Sequence, residues 1–263
     1  MKTDLKDTTF IMPVRLDSIA RLENLILAVN CIQKYFDTNI FVLEAAPYCN
    51  GIISCALQNV SYLFVEDKDP VFYKTHYLNR MAKEVKTNIL AIWDVDVILE
   101  PNQILDSVQN LREGNCDVAY PFNGDYFDVS DIFRGHYFVN QDIEFLKKNK
   151  DKMDTLYKVD GVIGAVGGAI FIKTESYLNS GMDNEDFYGW GLEDGERYYR
   201  WLELDYKIYR NKDCLFHLSH PRDSNGKFRS INHVRKATHD FNEIVNYGKE
   251  ELQRIVKKVS GRA

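Results

Sequence analysis

The chain has 263 residues, of which 45% are hydrophobic and 13% aromatic, so it can bury a substantial core. Its formal charge of −6 excludes a basic surface for nucleic acid and a polybasic membrane anchor. Five cysteines without a CxxC pair argue against a disulfide framework or a zinc cluster. The beginning of the chain has no apolar signal core, and no apolar run approaches the ~20 residues of a spanning helix. We therefore expect a cytoplasmic protein, with peripheral membrane attachment as the alternative.

The first hundred residues alternate between predicted strands and helices. The predicted strands are TTFIMPV, NIFVLEAA, VSYLFVED and the apolar run NILAIWDVDVIL, and the predicted helices are SIARLENLILAVNCIQKYF and YKTHYLNRMAKEVK. This order predicts an α/β fold with a buried, mostly parallel central sheet flanked by helices. Ligands of such a sheet bind beyond the carboxyl ends of its strands.

The second half is less regular, and we expect it to complete a site that the first half begins. It contains a loop-like segment FNGDYFDVSD, a glycine-rich strand GVIGAVGGAIFI, the turn DFYGWGLEDGE and the segment CLFHLSHPRD. Because no repeat or linker divides the chain, we predict one domain over residues 1–238, with halves of about 1–100 and 101–238. Residues 239–263 are predicted to form an amphipathic helix packed on that domain, with a membrane-surface or partner helix as the alternative.

Two aspartates interrupt the apolar run NILAIWDVDVIL. Residues two apart in a strand point to the same face, so Asp94 and Asp96 are predicted to project together where the strand ends. Carboxylates in such a run are costly unless they are paired, and a divalent cation beside a phosphate is a common partner. The alternative is that both side chains cap the next loop.

Two histidines, His217 and His220, follow the short predicted strand DCLF. Imidazoles three residues apart can converge on one ion if the backbone turns, and Pro221 favours such a turn. With Asp96 they form a mixed oxygen and nitrogen set, which suits manganese better than magnesium and leaves positions open for phosphate oxygens. The alternative is one buried, hydrogen-bonded histidine and one surface histidine.

The turn DFYGWGLEDGE places an indole and two carboxylates together. Gly189 and Gly191 permit backbone angles that other residues avoid and would present Trp190 as a flat surface for a sugar. Glu193 and Asp194 follow at the start of a predicted helix, where negative charge is favoured, so helix capping is the alternative explanation.

DVD, VGGAIFI, GWGLEDGE and HLSHPRD occur in this order and at separations that resemble a known family. The resemblance is to the β1,4-galactosyltransferases and to the related GT-A fold glycosyltransferases, including bacterial family 2-like polysaccharide glycosyltransferases. It is clearest over residues 88–228. It implies a metal-dependent inverting transferase that moves a hexose or N-acetylhexosamine from a UDP-sugar to a hydroxyl of a saccharide acceptor. Galactose and N-acetylgalactosamine are the favoured sugars, and a bacterial cytoplasmic enzyme of polysaccharide biosynthesis is the expected setting.

The resemblance also implies roles for individual residues. Asp96, His217 and His220 correspond to the ligands of Mn²⁺ or another divalent cation. Asp194 corresponds to the general base, and Glu193 to a neighbour that positions the donor or the acceptor. The residues that correspond to donor-binding positions are Arg15, Lys74, Asp94, Gly167, Gly168 and Trp190.

The chain departs from the family pattern at several positions. Leu192 and Gly195 replace a glycine and an aspartate, and that aspartate helps to grip a GlcNAc acceptor in the animal enzymes, so the acceptor stays open. Ala165 and Val166 stand where bulkier aromatic residues are common, which predicts room for an N-acetyl group on the donor sugar.

Three other functions remain as alternatives. In retaining GT-A transferases such as the polypeptide GalNAc-transferases an asparagine commonly follows the glutamate, so Asp194 argues against that class. A nucleotidyltransferase typically has a glycine- and lysine-rich loop after its first strand, which PVRLDS is not. The third alternative is a non-catalytic sugar- or nucleotide-binding protein of the same fold. The sequence does not indicate an oligomeric state.

Overall fold

The computed structural model describes residues 1–157, 164–222 and 225–260, except for the side chains of residues 257–260. Its strands are β1 (Thr3–Val14), β2 (Phe36–Ala46), β3 (Ser61–Glu66), β4 (Ile89–Trp93), β5 (Val97–Ile98), β6 (Val118–Tyr120), β7 (Tyr126–Val129), β8 (Asp154–Leu156), β9 (Ala169–Lys173), β10 (Ile208–Arg210) and β11 (Leu215–Leu218). Its helices are α1 (Ile19–Tyr35), α2 (Ile52–Ala56), α3 (Lys74–Glu84), α4 (Pro101–Arg112), α5 (Asp131–Asn140), α6 (Ile143–Lys148), α7 (Thr174–Asn179), α8 (Glu193–Glu203), α9 (Ile231–Asn246) and α10 (Lys249–Ser260), with a 3₁₀ helix at Lys150–Lys152.

A seven-stranded sheet in the order β10-β6-β9-β4-β1-β2-β3 forms the centre of the described part of the chain. Strands β1 to β4 are mutually parallel where they pair, β9 runs antiparallel between β4 and β6, and β10 is parallel to β6. Helices α1, α3, α4 and α7 pack against its strands. The mostly parallel α/β sheet expected from the sequence is therefore confirmed.

Three aromatic side chains on neighbouring strands fix the middle of this sheet. Phe10 of β1, Trp93 of β4 and Phe171 of β9 lie edge to face, with ring centroids 5.2 to 5.9 Å apart. All three are fully buried, which stabilises the fold by roughly 1.5–3 kcal/mol for each side chain. Trp93 is the last residue of β4, so this packing also fixes where Asp94 leaves the sheet.

The apolar run NILAIWDVDVIL forms two strands in two different sheets. After β4, strand β5 pairs antiparallel with β11 in a four-stranded sheet of order β5-β11-β7-β8. The prediction that Asp94 and Asp96 share one face of a strand is wrong, because both lie in the turn between β4 and β5, where the two-residue alternation does not apply. The Asp94 N–H donates to Gly168 O at 2.8 Å, which joins this turn to the start of β9.

The glycine-rich segment GVIGAVGGAIFI is a strand only in its last part. Strand β9 begins at Ala169, after the glycine pair, and residues 164–167 have no regular structure. The remainder of the predicted strand, residues 161–163, lies outside the described residues.

The predicted C-terminal helix is divided in two within the described residues. Helix α9 already begins at Ile231, where the Ser230 side chain accepts a hydrogen bond from the His233 N–H at 3.1 Å. It ends before Tyr247, whose backbone is extended, and α10 starts two residues later. Helix α9 packs on α8, and α10 packs on α7 and α8. None of the helices in the described part has the length and hydropathy needed to cross a bilayer.

Candidate functional site

A cavity of about 520 Å³ opens where strands β1 and β4 end, and residues from both halves of the chain line it. The predicted site residues that line it are Lys74, Asp94, Asp96, Gly167, Gly168, Trp190, Glu193, Asp194, His217 and His220. Arg15 is the predicted site residue that does not. Motifs separated by more than a hundred residues in the sequence therefore meet at one place.

Asp96, His217 and His220 form a potential metal site at one end of the cavity. Nε2 of His220 lies 3.1 Å from Oδ2 of Asp96, and Nε2 of His217 lies 3.7 Å from the same oxygen. One ligand atom from each residue lies within 4.8 Å of the other two. His217 belongs to β11 rather than following a strand, and the chain turns after Leu218 to bring His220 alongside it. One carboxylate oxygen and two imidazole nitrogens fit a divalent transition-metal ion that keeps open positions for a ligand.

Asp128 orients one of these histidines. It lies on β7 directly opposite His217 of β11, and its Oδ1 is 2.7 Å from Nδ1 of His217. A carboxylate on the second ring nitrogen is the usual support of a metal-ligating histidine, because it fixes the tautomer and the ring orientation. Sequence reasoning missed Asp128, since it depends on the pairing of two strands that are far apart in the chain.

Cationic side chains face the two aspartates of the DVD turn. Nζ of Lys74, at the start of α3, is 2.7 Å from Oδ1 of Asp94. Nη1 of Arg21 is 3.8 Å from Oδ2 of Asp96. Burial would raise the pKa of Asp96, but the neighbouring His217, the hydrogen bond from His220 and the guanidinium of Arg21 hold that pKa well below its usual range. Burial lowers the pKa of Lys74, yet the Asp94, Asp194 and Glu193 carboxylates raise it above its ordinary value. Both groups are therefore charged at neutral pH.

Arg15 lies behind the cavity wall. Its Nε donates to Ala45 O at 2.9 Å and its Nη1 to Asp69 O at 2.6 Å, and the guanidinium also pairs with the Asp67 carboxylate. It lies 5.6 Å from the ring centroid of Phe72, which does line the cavity. Its direct contact with a nucleotide thus stays a prediction.

Within the described residues, Arg21 and Arg222 are the arginines that line the cavity, and neither was singled out from the sequence. Arg222 donates to the Tyr157 hydroxyl at 2.9 Å, and Tyr157 packs edge-on against Tyr126. Arg222 stands in the segment HLSHPRD and Arg21 on the first turn of α1. Neither arginine belongs to a sequence pattern of its own, so the sequence did not predict that they line the cavity.

The glycine pair forms the floor of the cavity. Gly168 has a φ of +87°, and a Cβ atom there would lie 2.9 Å from Cε2 of Tyr126. A Cβ atom at Gly167 would lie 2.2 Å from Oδ2 of Asp194. Gly168 therefore requires glycine for its backbone angle and for space, and a side chain at position 167 would displace the Asp194 carboxylate.

The Gly-Trp-Gly turn has the unusual backbone that the sequence predicts. Gly189 and Gly191 have φ angles of +96° and +120°, which disfavour any residue with a side chain. Trp190 is half-buried, lines the cavity and packs edge-on against Phe228 with ring centroids 5.3 Å apart. The next residue, Leu192, also has a positive φ, +68°, at the position where the family has glycine.

The two carboxylates after this turn have different surroundings. Glu193 is buried, and its Oε2 accepts a hydrogen bond from the Gly191 N–H at 2.8 Å. Burial and then the charge of Asp194 raise the pKa of Glu193 to about 7, although Lys74 opposes the shift. The Asp194 side chain is 25% exposed, faces the cavity and is held by Nη2 of Arg197 at 2.6 Å.

Arg197 connects Asp194 to a buried polar network. Its Nη1 pairs with the Asp183 carboxylate, and both of these side chains are almost completely buried. The Asp183 N–H donates to Oδ1 of Asn79 at 2.9 Å, so the network reaches α3, the helix that begins with Lys74. Sequence reasoning missed this arginine because a charged residue in a helix normally predicts a solvent-exposed face.

Comparisons with known proteins bear on the fold and on the class of protein. A family model described as the N-terminal domain of galactosyltransferase matches residues 147–233. A solved mutant of Drosophila β1,4-galactosyltransferase 7, in complex with manganese, UDP-Gal and xylobiose, superposes with a TM-score of 0.54 and 13% identity, covering 89% of this chain and 79% of that chain. The catalytic domain of the same Drosophila protein with xylobiose gives a TM-score of 0.51 and 16% identity, covering 90% and 79% of the two chains. No curated protein matches.

Proposed function

The chain has the GT-A fold, and its galactosyltransferase domain match indicates a glycosyltransferase; from this premise we propose a metal-dependent inverting transferase. It would move a hexose or N-acetylhexosamine from a UDP-sugar to a hydroxyl of a saccharide acceptor. The observation that carries the proposal is the presence of the Asp96–His217–His220 set and Asp194 in one cavity. The similar Drosophila enzyme was solved with manganese, UDP-Gal and xylobiose.

The donor diphosphate is assigned to the cationic end of the cavity. Asp96, His217 and His220 would hold Mn²⁺ or another divalent cation, which when bound neutralises negative charge on a diphosphate leaving group. Lys74, Arg21 and Arg222 line the same cavity and can bind phosphate oxygens directly. Since the whole protein carries a net charge of −6, this local concentration of cationic groups is needed to attract a nucleotide sugar.

Asp194 is assigned the role of general base in a single displacement. The acceptor oxygen attacks the anomeric carbon from the face opposite UDP, and its proton passes to the Asp194 carboxylate. The bond from the anomeric carbon to UDP breaks with its electron pair moving to the phosphate oxygen, which yields the inverted glycoside and UDP. General-base assistance of this kind contributes ~10²- to 10⁴-fold to the rate.

The surroundings of the two carboxylates support Asp194 as the general base and a structural role for Glu193. Glu193 is buried and bonded to the Gly191 N–H, so it is placed to stabilise the turn that carries Trp190. Asp194 is partly exposed to the cavity, and Arg197 fixes its second oxygen. A carboxylate that meets an acceptor hydroxyl must be reachable from the cavity, which supports Asp194 as the base.

The residues beside the glycine pair affect which donor sugar fits in the cavity. Ala165 and Val166 both line the cavity, and their small side chains favour a donor with an N-acetyl group. We therefore propose UDP-N-acetylgalactosamine or UDP-galactose as the donor. The cysteines of the chain are unpaired, which supports a reducing cytoplasmic setting for a bacterial polysaccharide pathway.

Calorimetry with nucleotides tests the proposal. We expect UDP, UDP-galactose and UDP-N-acetylgalactosamine to bind in the presence of manganese and not with chelator, whereas GDP-mannose binds under neither condition. Asp96→Ala should abolish this binding, while Asp151→Ala, which removes an exposed carboxylate outside the cavity, should not. A wild-type protein that binds no UDP compound with manganese would overturn the proposed function.

A further inference from the structure

Tyr126 is a cavity residue to which the proposed function gives no role. It is the first residue of β7, in the segment FNGDYFDVSD where the sequence predicts a loop. Its ring is tilted against the ring of His217, a member of the Asp96–His217–His220 set (the metal set below), with centroids 5.5 Å apart. A Cβ atom at Gly168 would lie 2.9 Å from Cε2 of Tyr126 and 3.2 Å from its hydroxyl oxygen. The phenol therefore packs against both a proposed metal ligand and the floor of the cavity.

The contacts continue from Tyr126 to the proposed base. Gly168 follows Gly167, and a Cβ atom at Gly167 would lie 2.2 Å from Oδ2 of Asp194. A continuous line of neighbours thus runs from His217 through Tyr126 and the two glycines to Asp194. In the proposed reaction, the anomeric carbon has the leaving diphosphate at the metal set on one face and the attacking hydroxyl at Asp194 on the other. The transferred sugar must then lie along this line of neighbours, within reach of Tyr126.

The ring of Tyr126 is held in one position. Strand β7 is a central strand of its sheet, where Tyr126 pairs with Leu215 of β11 and with Leu156 of β8. The ring also packs edge-on against Tyr157 and Phe122, with centroids 5.4 and 6.3 Å apart. Only 5% of the residue is exposed. A side chain fixed in this way loses little conformational freedom when it binds a ligand.

The hydroxyl of Tyr126 has no hydrogen-bond partner in residues 1–157, 164–222 and 225–260, although the polar groups around it are paired. Nδ1 of His217 is 2.7 Å from Asp128, and the Tyr157 hydroxyl accepts from Arg222 at 2.9 Å. A phenol with a pKa of about 10 keeps its proton at neutral pH and can donate it to a hydrogen bond. Since Tyr126 lines the cavity, a bound sugar displaces water from this hydroxyl. A sugar that offered it no oxygen would leave the hydroxyl unpaired, which is costly.

The hydroxyl of Tyr126 suits the sugar better than the diphosphate. Phosphate oxygens carry negative charge and form their strongest hydrogen bonds with cations. Lys74 and Arg21 supply cations in the same cavity, and the metal set would hold another. Tyr126 is a neutral donor, and the oxygens of a hexose are neutral acceptors. The diphosphate is therefore expected at the cationic groups, which leaves the phenol for the sugar.

We propose, on the basis of the transferase function above, that the Tyr126 hydroxyl donates a hydrogen bond to an oxygen of the transferred sugar. This bond holds the anomeric carbon in line between the diphosphate and the attacking hydroxyl. It also separates the affinity for a UDP-sugar from the affinity for UDP, because UDP has no hexose. Tyr126 is thus a donor-binding residue that helps to determine which sugar is accepted.

The variant Tyr126→Phe tests this contact, because it removes the hydroxyl and keeps the buried ring. UDP, UDP-galactose, UDP-N-acetylgalactosamine, UDP-glucose and UDP-xylose are titrated calorimetrically into the full chain with manganese. We expect UDP affinity to stay at its wild-type value and the affinity for the preferred UDP-sugar to fall about 3- to 10-fold, as for the loss of one neutral hydrogen bond. Tyr137→Phe, which alters a buried tyrosine of α5 outside the cavity, is the matched control and should change neither affinity. Circular dichroism confirms that both variants are folded.

The series of donors identifies the sugar oxygen that accepts the bond. UDP-galactose and UDP-glucose differ in the orientation of the 4-hydroxyl, UDP-xylose lacks the hydroxymethyl group of UDP-glucose, and UDP-N-acetylgalactosamine replaces the 2-hydroxyl of UDP-galactose. If the wild-type preference within one of these pairs shrinks in Tyr126→Phe, the oxygen in which the pair differs is the acceptor. A uniform loss over the four UDP-sugars, with UDP unchanged, assigns the bond to an oxygen that they share.

Two outcomes would overturn the role of Tyr126. One is an equal loss of affinity for UDP and for the UDP-sugars in Tyr126→Phe, as a contact with the diphosphate or a general disturbance of the cavity would produce. The other is wild-type affinity of the variant for every UDP-sugar. Failure of the transferase function is separate, because the wild-type protein would then bind no UDP compound with manganese.

Discussion

The Asp194 carboxylate lies directly over Gly167, so that a Cβ atom at position 167 would be 2.2 Å from its Oδ2. Gly167→Ala must therefore displace the proposed base. We expect kcat to fall about 10²-fold, since a shift of about 1 Å at a reacting group costs that much, while UDP affinity changes little. Steady-state kinetics and calorimetry measure the two quantities. Gly135→Ala, at a helical position with open space around it, is the matched control and should leave both unchanged.

Removal of the proposed base itself should separate catalysis from binding. Asp194→Asn keeps the size of the side chain but cannot take a proton, so turnover should drop ~10²- to 10⁴-fold. UDP and manganese affinities should remain near wild type, because Asp194 is not in the metal set. A parallel loss of turnover and nucleotide binding would instead indicate that Asp194 only supports the structure of α8.

Arg197 should contribute strongly to stability. Its guanidinium is buried between Asp183 and Asp194, and Arg197→Met leaves the buried Asp183 charge without its cationic partner. We expect the free energy of unfolding to fall by about 3–5 kcal/mol, measured by urea denaturation.

The double variant Arg197→Met/Asp183→Asn should recover much of that loss, since it removes both charges. Lys236→Ala breaks an exposed ion pair with Asp240 and should cost no more than about 1 kcal/mol. If Arg197→Met were no more costly than Lys236→Ala, the buried pair would not be a stabilising element.

Glu193 should make the unliganded protein less stable as the pH rises. Its pKa is about 7 in the folded state against an ordinary value of 4.5, so between these pH values the folded state retains a proton that the unfolded chain has released. Stability therefore decreases as pH rises through that window. Glu193→Gln removes this term, and its advantage over the wild type should grow by up to about 3 kcal/mol between pH 4.5 and 8.

Urea denaturation at several pH values measures this difference. Glu203→Gln, at an exposed position of the same helix, is the control substitution. Curves for Glu193→Gln and wild type that run parallel over the whole range would contradict the predicted role of burial at Glu193.

Asp128 should tune the metal site without binding the ion. Asp128→Ala removes the hydrogen bond to Nδ1 of His217, and loss of such support typically weakens metal affinity 10- to 100-fold. Electron paramagnetic resonance of free manganese gives the dissociation constant directly. Asp154→Ala, which removes an exposed carboxylate from the strand next to Asp128, should not change it. Equal affinities in the two variants would show that His217 does not depend on Asp128.

The motifs that could be found from the sequence all depend on local backbone structure. Asp94, Gly168 and Trp190 all stand at strand ends or in turns, where glycine angles and interrupted apolar runs leave a readable pattern. The sheet was predictable because its buried strands are continuous apolar runs in the sequence.

The residues that escaped prediction depend on contacts over long separations. Asp128 reaches His217 through strand pairing, and Arg197 reaches Asp183 through the packing of α8 on a loop. Arg15 follows β1, as expected. Its guanidinium points towards Asp67, which follows β3, so this contact depends on how separate strands are arranged in the sheet. The boundary between α9 and α10 was also not predicted, because the apolar residues keep a helical spacing on both sides of Gly248.

Phe228 and Phe241 reach the cavity from a segment that follows every strand of the described sheets. A Cβ atom at Gly191 would lie 2.6 Å from the Phe228 ring, and one at Gly195 would lie 3.2 Å from the Phe241 ring, so this segment packs against the turn that carries Asp194. Both described sheets are complete before α9 begins. A chain cut short at that point would therefore keep every described strand and lose the helix that packs beside Asp194.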